Sequence, residues 1–350
     1  MVDVLVVGGG PAGYSFAITA RRRGLSVVVI NDRRRTKAWP GESLPAGGGE
    51  LFESIFGSDA MDGHAESFGT AAAWGSDTLD PHDFMSHWSG RGWHLDRDRL
   101  DSTIRTRARA VGVQTLEEKV TSLDRDDGHW HVNGNYDSTW IVDATGRSGS
   151  IVGRLGVART RLDDQVALVG VVHDRGGERV TTVEAGEEGW WYSTPVPGGQ
   201  RVVALITDAD LIGPDRTARW KSSLSDTVHM RSFVALDDAP EIGAYPSGAE
   251  YRDRFFGDGW MAVGDAAVSF DPLSSQGLIT GAVMAAHAAR LLGEDLSAWE
   301  RGYRAILDEH ERNRADLYSR ETRWPHSPFW SRRSATARFE TARRSGNANA

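Results

Sequence analysis

The chain has 350 residues, 39% of them hydrophobic and 25% charged, which excludes a fully disordered polypeptide and allows either two domains or one large α/β unit with an inserted sheet. Its net charge of −9 argues against nucleic-acid binding as the main task, because phosphate recognition needs a concentrated basic surface. With no cysteine there can be no disulfide, thiolate metal site or cysteine nucleophile, and with no basic-then-apolar leader or apolar run of about 18 residues the expected location is the cytoplasm, away from membranes.

The first predicted strand, Val4 to Val7, runs into the Gly-x-Gly-x-x-Gly turn of DVLVVGGGPAG and then into a helix from Ala12 to about Arg23. This arrangement predicts a bound dinucleotide. Gly8 supplies the tight turn, Gly10 the bare backbone that a pyrophosphate can approach, and Gly13 the close helix–strand contact, with Pro11 and Ala12 opening the helix whose N–H groups face the phosphates. The second strand, in LSVVVIND, ends at Asn31, where such sites use an acidic side chain to hold the ribose. An amide can also bond a ribose hydroxyl, and Asp32 follows directly. Arg33 belongs to a basic run, DRRRTK, that is either solvated surface or a grip on cofactor phosphate.

Next come a loop containing PGESLP, a short helix near Glu50 to Ile55, and a strand from Ser67 to Trp74. A helix follows with apolar positions at Leu100, Ile104 and Ala108. Strands are predicted at Val120 to Leu123, Trp130 to Val132 and Trp140 to Val142, the last two forming a hairpin about Asn133-Gly134. His129 and His131 share a strand face, but no third ligand is visible, and no metal site is predicted. From about Gly156 to Pro246 alternating β-rich segments predict a largely antiparallel sheet, in which GWWYSTPVP places Trp190, Trp191, Tyr192 and Pro195; alternation sends the two tryptophan rings to opposite faces, one to the core and the other to a pocket wall.

The nucleotide-binding pattern then returns in GDAAVSFDPLSSQG. Gly264 and Asp265 follow a short strand, where the carboxylate can accept hydrogen bonds from a polyol, and a helix from Gly277 presents its N-terminus beyond Pro272. The segment from Leu296 is helical, charged and rich in Trp.

GGGPAG, the RDRLD helix, DATGRSG and GDAAVSFDPLSSQG occur in an order and spacing that resembles the FAD-dependent class A monooxygenases and the tryptophan-halogenase superfamily over nearly the whole chain. With GESLP and RWPHSPFW, the chain looks most similar to the flavoprotein maturases that modify tryptophan in quinone-cofactor oxidases. The resemblance implies an α/β fold with a Rossmann-like FAD-binding domain (1–66, 95–158 and 247–296), a mainly antiparallel substrate domain (67–94 and 159–246) and a C-terminal helical segment (297–350). It implies FAD contacts from Gly8, Gly10, Gly13, Arg99, Val120 and Asp265, with Pro272 and Gly277 beside the isoalloxazine. Glu42 and Ser43 either approach the flavin, as candidate catalytic residues, or tie down their loop. Trp74, Trp190, Trp191 and Pro195 are the expected substrate wall.

Halogenases of this type carry the oxidised halogen on a lysine, but here the matching position is Gly69; the chain's three lysines, Lys37, Lys119 and Lys221, lie elsewhere. Ser274 stands where tryptophan halogenases have Glu. Delivery of oxygen from a flavin C4a-hydroperoxide needs no lysine. The expectation is therefore hydroxylation of an electron-rich aromatic substrate, an indole or tryptophan, free or peptide-linked. O2 and NAD(P)H are the co-substrates, used directly or through a flavin reductase. The alternatives are a halogenase and a non-catalytic FAD-binding maturation partner.

Overall fold

The computed structural model describes residues 1–32, 42–84, 90–176, 179–235 and 240–334. Its first sheet has eight strands, with Val2–Val7 at the centre between Val27–Ile30 and Tyr136–Asp143. Gln114–Leu116 and Trp260–Ala262 extend it in parallel on the two sides. In register, Val7 lies opposite both Ile30 and Asp143, and Asp143 lies opposite Ala262. The C-terminal ends of these strands therefore form one edge, the crevice where open parallel sheets bind ligands.

Helix α1 (Pro11–Arg22) starts at the glycine turn with Pro in its first turn, where the missing N–H costs nothing. Helix α2 is Gly48–Phe56. Helix α3 (Arg97–Ala110) is capped by Asp96, whose carboxylate accepts from the Arg99 N–H at 3.0 Å, and it buries Leu100, Ile104 and Ala108 in one stripe. Helix α4 (Ser150–Arg154) follows the strand Tyr136–Asp143, α5 (Arg216–Ser225) covers the second sheet, and α6 (Gly277–Leu291) packs on α1. Gly281, Ala282, Ala285 and Ala289 leave α6 narrow enough for the Ser15 hydroxyl of α1 to reach the Ala282 carbonyl at 2.5 Å.

The second sheet orders its seven strands Gly243–Pro246, Gln165–His173, Gln200–Asp208, Gly189–Val196, Val180–Gly186, Gly69–Ala73 and Asp80–Asp83. All its pairings are antiparallel except that of Val180–Gly186 with Gly69–Ala73. Helix α7 (Ser297–Ser319) spans two cores. Trp299, Tyr303 and Leu307 join the core around the first sheet, whereas Tyr318 packs on the second together with Phe329 and Trp330 from the segment after the helix.

Two local expectations change. No strand forms at Val120 to Leu123; the strand is Leu123–Asp126, because the Asn133 side-chain carbonyl accepts from the Thr121 and Ser122 N–H groups and Arg154 holds the Val120 and Thr121 carbonyls. The expected strand from Ser67 to Trp74 divides at Phe68 into Ala65–Ser67, which pairs with Gly92–Leu95, and Gly69–Ala73, which joins the second sheet. The hairpin turns at Asn133 and Gly134 with φ of 54° and 68°, as its Asn-Gly pair requires. His131 is paired with Asp137 at 2.7 Å across that hairpin.

Candidate cofactor and substrate cavity

A cavity of about 650 Å³ follows the C-terminal edge of the first sheet and continues beneath the second. Glycine packing divides the turn at its entrance into two functions. A Cβ on Gly8 would lie 2.1 Å from the Ala144 carbonyl oxygen, and one on Gly13 would lie 2.1 Å from the Gly8 carbonyl oxygen, so both are bare because backbone packs on backbone. Gly10 also lines the cavity, yet a Cβ there would meet nothing within 4 Å. Its open cradle lies at the N-terminus of α1, where N–H groups and the helix dipole favour a phosphate. The residues present thus fit a dinucleotide pyrophosphate.

Pro11, Ala12, Asn31, Asp32 and Val120 line this end with the glycine turn. Arg33 and Lys37 lie outside the described residues. Further along, Gly264 takes a positive φ of 59°, and a Cβ there would meet Ala12 at 2.6 Å, so glycine lets the turn carrying Asp265 sit against α1. The Asp265 side chain, 43% exposed to the cavity, lies 3.9 Å from Arg147. Desolvation by the surrounding wall raises its carboxyl above the ordinary range, and Arg147 and Arg97 oppose that shift. Pro272 and Gly277 line the next stretch, with the N-terminus of α6 facing in.

The arginine of the RDRLD helix that reaches the cavity is Arg97, not Arg99. Arg97 is the first residue of α3 and bonds Glu42 at 2.7 Å and Asp101 at 3.0 Å. Two residues on, about 200° around the helix, Arg99 instead packs beside Gly63 outside the cavity lining. Glu42 has one oxygen on Arg97, while Oε2 is buried without a hydrogen-bond partner. Burial raises the Glu42 carboxyl, and Arg97 partly offsets the shift.

Ser43 joins a buried hydroxyl cluster. Its Oγ lies 2.7 Å from the Tyr192 hydroxyl, 3.1 Å from Thr181 Oγ1 and 3.2 Å from His94 Nδ1. Thr194 Oγ1 lies 2.6 Å from the same His94 nitrogen. Burial lowers the His94 pKa to about 4 and pushes the Tyr192 phenol up to about 12, so at neutral pH both are uncharged.

Strand alternation determines which residues of GWWYSTPVP reach the cavity. Trp190 and Tyr192 line it; Trp191 and Pro195 occupy the opposite face and do not. Both tryptophans are buried, because α5 covers the outer face and Trp220 packs on Trp191 at 5.4 Å. Trp74, also expected in the wall, stands behind Trp190 at 6.4 Å and donates its indole N–H to the Leu317 carbonyl at 2.8 Å. Arg97, Arg147 and Tyr245 complete the lining without having been singled out from the sequence as site residues. The Asp96 cap is a signal for Arg97, since it places that residue at the start of α3. Lys119 lines the glycine-turn end of the cavity and Lys221 is exposed on α5. Among the described residues, no lysine lines the end beneath the second sheet.

A glycine turn and an inward carboxylate at the edge of a parallel sheet, continuous with a second pocket, define an FAD-binding α/β oxidoreductase. The chain belongs to the pyridine nucleotide-disulphide oxidoreductase family, whose model matches residues 2–184. It is 27% identical to LodB of Marinomonas mediterranea, assigned as an FAD-dependent oxidoreductase, over 97% of this chain and 99% of that one. In fold it is similar to the peptidyl tryptophan dihydroxylase QhpG, with a TM-score of 0.77, 24% identity, and coverage of 95% of this chain and 78% of that one. It is also similar to the flavin-dependent halogenase CmlS, with a TM-score of 0.80, 22% identity, and coverage of 97% and 70%. No described helix is long and apolar enough to cross a membrane.

Proposed function

We propose that this FAD-dependent oxidoreductase is a monooxygenase that hydroxylates an electron-rich aromatic ring, an indole or tryptophan, free or peptide-linked. The observation that carries this reading is the lining beneath the second sheet: Trp190, Tyr192 and Tyr245 supply aromatic surface, and no described residue there offers a lysine ammonium. In the overall reaction a ring C–H becomes C–OH, the second oxygen atom of O2 leaves as water, and NAD(P)H supplies two electrons directly or through a flavin reductase. Bound FAD supplies the oxygen activation.

The chain's own residues bind, orient and exclude water. Gly10 and α1 receive the pyrophosphate, Asn31 and Asp32 the ribose, and Asp265 the ribityl hydroxyls. Arg97 and Glu42, bonded to each other, line the cavity beside Ser43 of the hydroxyl cluster. Beneath the second sheet Ser43 and the un-ionised Tyr192 phenol line the cavity, and burial keeps His94, which contacts Ser43, neutral behind them. The peptide-linked option draws on the similarity in fold to QhpG, a peptidyl tryptophan dihydroxylase.

The test is incubation with FAD, a flavin reductase, NADH, O2 and chloride, offering tryptophan and tryptophan-ended peptides and reading product mass. Gain of one oxygen is expected. A chlorine isotope pattern would assign halogenation instead, and bound, reducible FAD without product would favour a maturation partner.

A further inference from the structure

The hydroxyl of Tyr318 lies outside the cavity but joins its two walls. Tyr318 sits at the end of α7 with 1% of its surface exposed. Its hydroxyl donates to Asp271 Oδ2 at 3.1 Å, and accepts from the Trp190 indole N–H and from Gln165 Nε2, each at 3.0 Å. One donor and two acceptor sites are thereby all used. Asp271, itself fully buried, caps the turn that begins at Pro272, with its Oδ1 accepting from the Leu273 N–H at 2.9 Å. Arg314, one turn earlier on α7, holds the same carboxylate at 3.0 Å, and His310, another turn earlier, stacks on Phe270 at 4.4 Å. One stripe of α7 thus grips Phe270 and Asp271, on the cofactor side, and reaches across to Trp190 on the substrate side.

We propose that Tyr318 is a positioning residue: its hydroxyl sets the tilt of the Trp190 ring relative to the Asp271–Pro272 turn, and so sets where an aromatic substrate lies against the cofactor. The placement of the substrate rests on the monooxygenase reading; the hold on Trp190 does not. Trp190 has no other hydrogen-bond acceptor among the described contacts, and Trp74, at 6.4 Å, meets its ring edge-on. A buried indole N–H deprived of its acceptor is destabilised, which favours any ring orientation that finds another.

The test compares FAD-loaded wild type with Tyr318→Phe, Trp190→Phe and the double variant. A crystal structure of Tyr318→Phe should show the Trp190 ring rotated or split between two orientations, with FAD content unchanged. Hydroxylated product per NADH consumed should fall about tenfold or more, since an ångström's misplacement of a reacting ring can cost about 10²-fold in rate, while the Kd for FAD stays within twofold. Trp190→Phe should show a similar loss, and the double variant no further loss. An unmoved Trp190 ring in Tyr318→Phe overturns the inference, as does unchanged coupling of NADH to product. If wild type makes no oxygenated product, the monooxygenase reading fails, and the Trp190 orientation alone decides the role of Tyr318.

Discussion

Replacing Gly10 with valine should separate cofactor binding from folding. The residue has φ −86° and ψ −178°, an extended conformation open to any side chain, and the added Cβ would meet no protein atom within 4 Å. The apo fold should therefore keep its Tm within a few degrees. The pyrophosphate, however, must occupy the space the isopropyl group fills. Losing two charge-assisted hydrogen bonds at the α1 N-terminus costs about 3–6 kcal/mol. That corresponds to a weakening of FAD binding by about 10²- to 10⁴-fold. Titration of apoprotein with FAD, followed by flavin fluorescence and by the rise in Tm with ligand, measures both quantities. Gly13→Ala is the contrasting variant: its methyl would lie 2.1 Å from the Gly8 carbonyl oxygen, so the apo fold itself should lose about 1–3 kcal/mol or more. Wild-type FAD affinity in Gly10→Val, or an apo fold damaged as badly as that of Gly13→Ala, would refute the assignment of Gly10 to the pyrophosphate.

The two arginines of α3 should part in the same way. Arg97→Ala strands the carboxylate of Glu42, costs about 3 kcal/mol of stability and weakens FAD binding, whereas Arg99→Ala leaves FAD affinity unchanged in the same titration. On the second sheet, Trp191→Ala should cost about 3–5 kcal/mol in urea unfolding because it empties the contact with Trp220. Its effect on FAD affinity should be small. His94 supplies a pH dependence. Its folded pKa of about 4 lies below the ordinary 6.5, so between these values the unfolded chain binds the extra proton and stability falls as pH falls, by about 3 kcal/mol in all. His94→Gln should flatten the fall in stability between pH 6.5 and 4 relative to wild type; an identical slope would mean that His94 is protonated in the fold.

Features set by neighbouring residues were legible without the tertiary structure. A glycine turn between an apolar strand and a helix requires bare Cα atoms at fixed offsets, so Gly8, Gly10 and Gly13 announced a dinucleotide turn, and Asn133-Gly134 announced its hairpin. The buried stripe of α3 followed from a spacing of four residues. Folding decided matters of phase and long-range approach. Whether Arg97 or Arg99 faces the cavity depends on where α3 begins and on which side the chain packs, and a difference of two residues moves a side chain to the far side of the helix. Alternation separated Trp190 from Trp191 but did not say which faced the cofactor, because both faces of that strand are covered, one by the cavity wall and the other by α5. The junction of Gln165, Trp190, Asp271 and Tyr318 brings together groups up to 153 residues apart, joined only once the second sheet, the Asp271 turn and α7 have packed. Local sequence fixes dihedral preferences and periodicity, whereas a buried polar network forms where several elements close on one another and every donor must then find an acceptor.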